Sequence, residues 1–205
     1  MRATCVLLLA GLSLPAFAQN GVSVPARREY VDSANGVRFN YSASWQLGPG
    51  VGSYIPPAIL ENDKNPAEAL QADAIVVLKG RDAENGPYAH TNFISGIFYY
   101  RLASELTEKQ CYARADSLAE DKGKVDRAEI HGVRYAHGHV DGQALCNEST
   151  QDLYATFRSG RCYLFEKQVS TICQHAELRD ITPGELKEIN RELSQIMVSV
   201  QLRNK

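Results

Sequence analysis

His137-Gly138-His139 places two imidazoles at i and i+2 in a strand-like run, so both side chains leave one face, and His131 and Tyr135 share their parity. Two imidazoles on one face are the beginning of a metal site or a proton-transfer pair. No third ligand is evident in the run, and histidines on a solvated strand face are commoner than ligands. The pattern therefore predicts neither a metal at His137 and His139 nor any cofactor. The alternative is a small metal-dependent or hydrolytic enzyme built around His131, His137 and His139. His175 beside Cys173 is a weaker pair, because a bridged cysteine offers no thiolate. Neither a Gly-x-Ser-x-Gly elbow nor a His-Glu-x-x-His stretch occurs, and Gly48-Pro49-Gly50-Val51-Gly52 is not followed by Gly-Lys-Ser/Thr, so it reads as turn chemistry.

The cysteines have to be read with the first 18 residues. Arg2, an apolar stretch from Val6 to Leu14 and Ala16-Phe17-Ala18 follow the layout of a secretory signal peptide cleaved after Ala18. Export to an oxidising compartment, periplasmic or extracellular, makes Cys111, Cys146, Cys162 and Cys173 disulfide candidates, and four thiols allow three pairings. Register selects among them. If Ser159-Gly160 is a two-residue hairpin loop, Arg158 faces Arg161 and opposed residue numbers sum to 319, as Cys146 and Cys173 also do. The same register sets Cys162 opposite Phe157 on a face with Leu153, Ala155 and Leu164, where a helix carrying Cys111 could bridge it. The expected pairs are Cys146 with Cys173 and Cys111 with Cys162.

Composition removes several function classes. Of 205 residues, 22 are basic and 24 acidic; losing Arg2 with the leader leaves 21 against 24, a net charge of −3. That balance points to neither nucleic acid nor an anionic membrane as partner. Gln19, not cysteine, follows the cleavage point, so no membrane anchor is expected. The remaining 187 residues suit one domain, read as a flexible lead-in over 19–29 and a single fold over 30–203.

The elements that would hold these residues follow from period and punctuation. Asn35-Gly36 is a turn before the alternating strand Val37-Arg38-Phe39-Asn40-Tyr41, which Trp45 closes. The proline-bearing stretch 48–72 predicts a long loop with a short helix near 66–71. Runs 74–78 and 93–101 are rich in Ile, Val, Phe and Tyr and predict interior strands. Thr107-Glu108-Lys109-Gln110 is a capping box opening a helix whose stripe is Cys111, Ala115 and Leu118, with Gly123 just past its end. Strand-like runs follow at 128–140, 149–158 and 161–170. Thr182-Pro183-Gly184-Glu185 caps a last helix with apolar Leu186, Ile189, Leu193, Ile196 and Met197, and alternation over 198–202 predicts a closing strand. Tyr99, Tyr100, Tyr135, Tyr154, Tyr163 and Phe165 read as core filling.

The entry Asn35-Gly36-Val37-Arg38-Phe39-Asn40-Tyr41-Ser42-Ala43-Ser44-Trp45 resembles the glycine, aromatic strand and tryptophan opening of the PsbP-like group of small exported domains, which has Mog-type, DcrB-like and LpqN-like members. The central helix, the Ile130-His131-Gly132-Val133-Arg134-Tyr135 segment, the hairpin and a last helix running into Ser199-Val200-Gln201-Leu202 are also similar. The resemblance implies an α+β fold in which an antiparallel sheet packs between helices, an α/β/α sandwich. It further implies a non-enzymatic exported protein that binds a protein partner or supports an assembly; the irregular 48–72 segment, a loop on a rigid scaffold, and exposed strand aromatics are the expected binding surface.

Overall fold

The computed structural model describes residues 26–48, 72–80, 86–119, 124–144, 147–172 and 177–203. The leader, the 66–71 helix, Gly123, Cys146, Cys173, His175 and all of the 48–72 segment except its end residues lie outside these. The described chain is α+β. A three-stranded antiparallel sheet runs in the order β1 (Arg27–Asp32), β2 (Val37–Ser42), β10 (Gln201–Leu202). A seven-stranded antiparallel sheet takes β3 (Gln46–Gly48), β4 (Ala74–Lys79), β5 (Phe93–Ala103), β9 (Arg161–Ile172), β8 (Asn147–Arg158), β7 (Val133–Ala144) and β6 (Lys124–Ile130), in that order. The helices are α1 (Glu108–Ala119) and α2 (Pro183–Val198).

Each helix begins where its cap dictates. The Thr182 hydroxyl accepts from the Glu185 amide at 3.2 Å, while a Glu185 carboxylate oxygen accepts from the Thr182 amide at 2.8 Å. Thr107 and Gln110 repeat the arrangement at α1, at 3.4 and 2.9 Å. Both boxes satisfy amides that no helical turn can reach.

The large sheet separates the two helices. Along β9, Tyr163, Phe165 and Val169 join the cluster of Phe98, Tyr100, Trp45 and the α2 residues Ile189, Leu193, Ile196 and Met197, with Val37 and Phe39 of the small sheet. The intervening Cys162 and Leu164 face the other way, with Cys111 and Leu118 of α1, Leu153, Ala155 and Val140. Alternation therefore gives β9 one face for α2 and the small sheet and one for α1, so the sheet is sandwiched. Each aliphatic side chain buried this fully contributes roughly 1.5–3 kcal/mol. On the α1 side Cys111 and Cys162 are joined by a disulfide, with Cα atoms 5.5 Å apart.

Three boundaries differ from the sequence reading. Arg27, Arg28 and Glu29, read as lead-in, belong to β1, because the strand pairs with β2 from Arg27 opposite Ser42 through backbone bonds while its first three side chains stay exposed, which leaves no apolar period to read. The run 128–140 is two strands. His131 and Gly132 adopt φ of 50° and 73° and turn the chain between β6 and β7, with Ile130 opposite Val133. These are the left-handed values of a two-residue hairpin turn, and Ser159 and Gly160 repeat them at 50° and 74°. Finally, Val198 still belongs to α2, so the closing strand is reduced to Gln201–Leu202.

Gly138 decides how close α1 can come. A Cβ there would lie 2.1 Å from the Ala115 carbonyl oxygen, whereas one at Gly184 would find nothing nearer than the Thr182 hydroxyl at 3.9 Å. Gly138→Ala is expected to force α1 off the sheet at a cost of about 1–3 kcal/mol, seen as a lower urea midpoint, with Gly184→Ala near neutral. An unchanged midpoint for Gly138→Ala would contradict this packing.

Candidate functional site

The polar residues singled out in sequence fall on the α2 face of the large sheet, and the turn at His131-Gly132 separates one of them from the rest. His131 Nε2 lies 2.7 Å from the carbonyl oxygen of Val198, tying the β6–β7 turn to the last turn of α2. It is therefore not a neighbour in register of His137 and His139, and the three-histidine arrangement is not formed. His137 and His139 stay on β7, and the antiparallel register sets Tyr154 and Asp152 of β8 directly opposite them. On the other side of β8, Asp152 is opposite Lys167 of β9. On the other side of β7, Asp126 of β6 is opposite His137. Four strands thus deliver one cluster.

The contacts within it are closed. His137 Nε2 donates to Asp152 Oδ1 at 2.8 Å and His137 Nδ1 donates to Asp126 Oδ1 at 2.7 Å. A carboxylate faces each ring nitrogen, an arrangement that favours the doubly protonated imidazolium over the neutral ring. His139 Nδ1 donates to the same Asp152 oxygen at 3.0 Å, and Lys167 Nζ reaches Asp152 Oδ2 at 3.1 Å and the Ser194 hydroxyl of α2 at 3.3 Å. The Tyr154 ring stacks on His137 with centroids 4.3 Å apart and planes 14° from parallel. Asp152, Lys167 and His137 are 10, 13 and 16% exposed at their side chains. Asp152 is thus met by His137, His139 and Lys167, while Asp126, at 42% exposed, closes the outer side of the His137 ring.

The protonation follows from this packing. Burial disfavours the His137 cation, but the hydrogen bonds to Asp152 and Asp126, together with their charges, outweigh it and raise the pKa above the ordinary 6.5. Burial likewise opposes the Asp152 anion; the His137 hydrogen bond, the Lys167 charge and bond, and the His139 charge overcome it and hold the carboxyl at about 2. Burial, with Asp152 and Asp126 nearby, pushes the Tyr154 phenol up.

In this geometry His137 has no free nitrogen to act as a base. A general base needs a nitrogen lone pair turned to substrate, and both His137 nitrogens are spent on carboxylates. Among the described residues no group of three or more His, Cys, Asp or Glu side chains is arranged to hold a metal ion. What the sequence did not single out are Asp126, Asp152 and Lys167, which become neighbours of the histidines only through the β6–β7–β8–β9 register. The one available signal was an acid, Asp152, in an otherwise core-like strand.

Next to the network the same face opens into a cleft of about 380 Å³ between α2 and the strands. Leu186 and Asn190 of α2 form one wall, and Asp141, Glu148, Thr150, Val169 and Thr171 line the rest. Asp141 joins the two regions: it accepts from the Thr150 hydroxyl at 3.1 Å, and one of its oxygens lies 3.6 Å from His139 Nε2. No described helix is long and apolar enough to cross a membrane.

The fold, an antiparallel sheet with a helix on each face, is similar to that of PsbP-like proteins. The solution structure of cyanobacterial PsbP (CyanoP) from Synechocystis matches at 11% identity and a TM-score of 0.46, over 89% of this chain and 96% of that one. LpqN of Mycobacterium tuberculosis, described as involved in cell envelope biogenesis, matches at 10% identity and a TM-score of 0.45, over 87% and 92%. A protein of Bacteroides thetaiotaomicron matches at 9% identity and a TM-score of 0.44, over 86% of this chain and 48% of that one. No protein-family model and no curated protein matches the chain.

The network should be visible as a pH dependence. His137 has a raised folded pKa, so its contribution is complete below its ordinary value of 6.5 and is lost as pH rises through the folded value. Asp152 has a lowered one, so its contribution is complete above 3.8 and is lost as pH falls toward about 2. Urea melts are expected to show stability declining from about pH 6.5 upward, and His137→Gln should be weaker at pH 6 and flatter above it. Asp152→Asn, which strands a buried Lys167 and His137, should cost about 3 kcal/mol. A wild-type slope retained in His137→Gln would exclude His137 as its source.

Proposed function

We propose that the protein is an exported, non-enzymatic binding or assembly protein whose partner is another protein, held in the cleft between α2 and strands β7–β9. The observation that carries this reading is the closure of the His137 network beside an open cleft. Both His137 nitrogens are taken up by carboxylates, while the adjoining surface presents the Asp141 carboxylate, the Thr150 and Thr171 hydroxyls and apolar Leu186 and Val169. An extended segment carrying a basic side chain beside an apolar one suits that lining. Cleavage after Ala18 and export are part of the same reading, supported by the leader pattern and by a disulfide at Cys111 and Cys162.

A second pairing, Cys146 with Cys173, is part of the proposal. The β8–β9 register runs without a shift from Arg158 opposite Arg161 to Asn147 opposite Ile172, and each pair sums to 319. That regularity supports the expected bridge, whose cysteines lie outside the described residues. Peptide mapping of the non-reduced protein should recover Cys111 linked to Cys162 and Cys146 linked to Cys173; a Cys111 to Cys146 peptide would overturn the scheme.

A photoreactive amino acid at Asn190 tests the cleft in cells, with one at exposed Asp116 on α1 as control. A reproducible protein adduct from Asn190, weakened by Asp141→Arg and absent from Asp116, is the expected result. Equal or no adducts at the two positions would refute the cleft as the binding surface. A hydrolytic or metal-dependent activity abolished by His137→Ala with His139→Ala would refute the non-enzymatic reading.

A further inference from the structure

Strand β6 is the outermost strand of the large sheet: one side pairs with β7, and the other pairs with no described strand. The opposite edge is β3, three residues long, whereas β6 runs for seven. Its solvent side is open, since Val125 is 44% exposed and Asp126, Arg127 and Glu129 are exposed as well. Proline and bulges ordinarily blunt such an edge, and β6 has neither. The turn at His131-Gly132 fixes which backbone groups point outward. A two-residue turn closes on a hydrogen-bonded pair, here Ile130 with Val133, so Ile130, Ala128 and Asp126 bond to β7. The amides and carbonyls of Val125, Arg127 and Glu129 therefore face away from the sheet. Charge alternates in sign along that edge. Among the described residues the Glu129 carboxylate has no hydrogen bond or ion pair, and the Arg127 guanidinium meets the Tyr112 ring, 5.7 Å from its centroid.

We propose that β6 pairs antiparallel with β6 of a second copy of this chain, across a two-fold axis at Ala128, and joins the two large sheets into one. An axis perpendicular to the sheet keeps each side chain on its own face, so it passes through a single residue and opposes the neighbours on either side symmetrically. At Ala128 that symmetry sets Arg127 against Glu129 of the second copy, and Glu129 against its Arg127. These are residues whose backbone groups face outward, so each pair exchanges two backbone hydrogen bonds and places a guanidinium beside a carboxylate. Glu129 is also opposite Arg134 in its own chain, which leaves it between two cations in the dimer. The small Ala128 meets its own copy at the axis. Other registers are worse. An axis at Asp126, Arg127 or Glu129 opposes that charge to itself, and one at Val125 or Ile130 engages at most three residues of the strand. Helix α1 does not stand in the way, because it lies mainly over β7 and β8.

A contact over residues 126–130 buries less surface than a standard interface, so the dimer dissociates on dilution. Sedimentation equilibrium of the mature chain should give a mass that rises from one copy toward two between about 1 and 100 μM. Arg127→Glu and Glu129→Arg, both at exposed positions, should each weaken association at least about tenfold, because like charges are then opposed. An equimolar mixture of the two variants should associate again, since every opposed pair is then one glutamate and one arginine. Under mild oxidation Ala128→Cys should yield a disulfide-linked dimer on a non-reducing gel, because its copies meet at the axis. Val125→Cys, whose copies lie about 20 Å apart in this register, should not. A chain that stays monomeric at about 100 μM would overturn the proposal and leave the edge to a different protein. So would association unaltered by either charge reversal, a mixture that fails to associate, or a link through Val125→Cys in place of Ala128→Cys.

Discussion

The register of the β8–β9 hairpin is the constraint on which the other features depend. Ser159 and Gly160 adopt left-handed φ, the turn closes on Arg158 and Arg161, and eleven further pairs follow without a bulge to Asn147 and Ile172. Side-chain direction alternates strictly along both strands, so this turn decides which residues meet α1 and which meet α2. One step sends Cys162 toward Cys111; the next sends Tyr163 and Phe165 into the larger core. Because β5 pairs with β9 and β7 with β8, the turn's choice of face propagates across the sheet.

The two helices use that choice differently. Contact between α1 and the sheet is so close that its Ala115 carbonyl occupies the space a side chain at position 138 would need, and a disulfide adds a covalent tie on the same face. Docking of α2 instead relies on an apolar stripe and on polar bonds at its margins: Trp45 Nε1 donates to Glu192 at 2.5 Å, Lys167 to Ser194, and His131 meets the carbonyl of Val198 at the C-terminal end. A helix held at its margins leaves a cleft where the stripe stops short of the strands, at Leu186 and Asn190. The position of the cleft is thus a consequence of how α2 is held.

Most of the architecture was legible because it depends on local rules. The two capping boxes, the hairpin dipeptide, the alternation of β2 and the α2 stripe each act within a few residues, and each appears where its pattern stands. What escaped was non-local or weakly patterned. Backbone pairing forms β1 and leaves its first side chains exposed. His131 sits in a turn because the following glycine accepts a left-handed φ, and His-Gly gives a weaker turn signal than Asn-Gly. The charged network needed four strands in register, and the missed turn at 131 and 132 placed His131 on one strand with His137 and His139. His137 and His139 were visible as a pair; their carboxylate partners were not, since Asp126 and Asp152 are 11 and 15 residues from His137.

Two consecutive rungs of the same hairpin show why the register must hold. Asp152 is opposite Lys167 and Gln151 is opposite Gln168, one residue apart, and the two pairs point to opposite faces. The first pair is charged and satisfied by His137, His139 and Ser194. The second is neutral and carries two unpaired donors. A slip of one strand by a single residue would turn its charged member toward the apolar packing of α1 and set an amide where Asp152 closes the network. Burying an unpaired charge costs far more than burying an unpaired amide, so the ionic pair is the element that penalises the slipped state. The network therefore makes the native register unique and, by doing so, fixes the glutamines on the other face, where their own hydrogen bonding would not hold them.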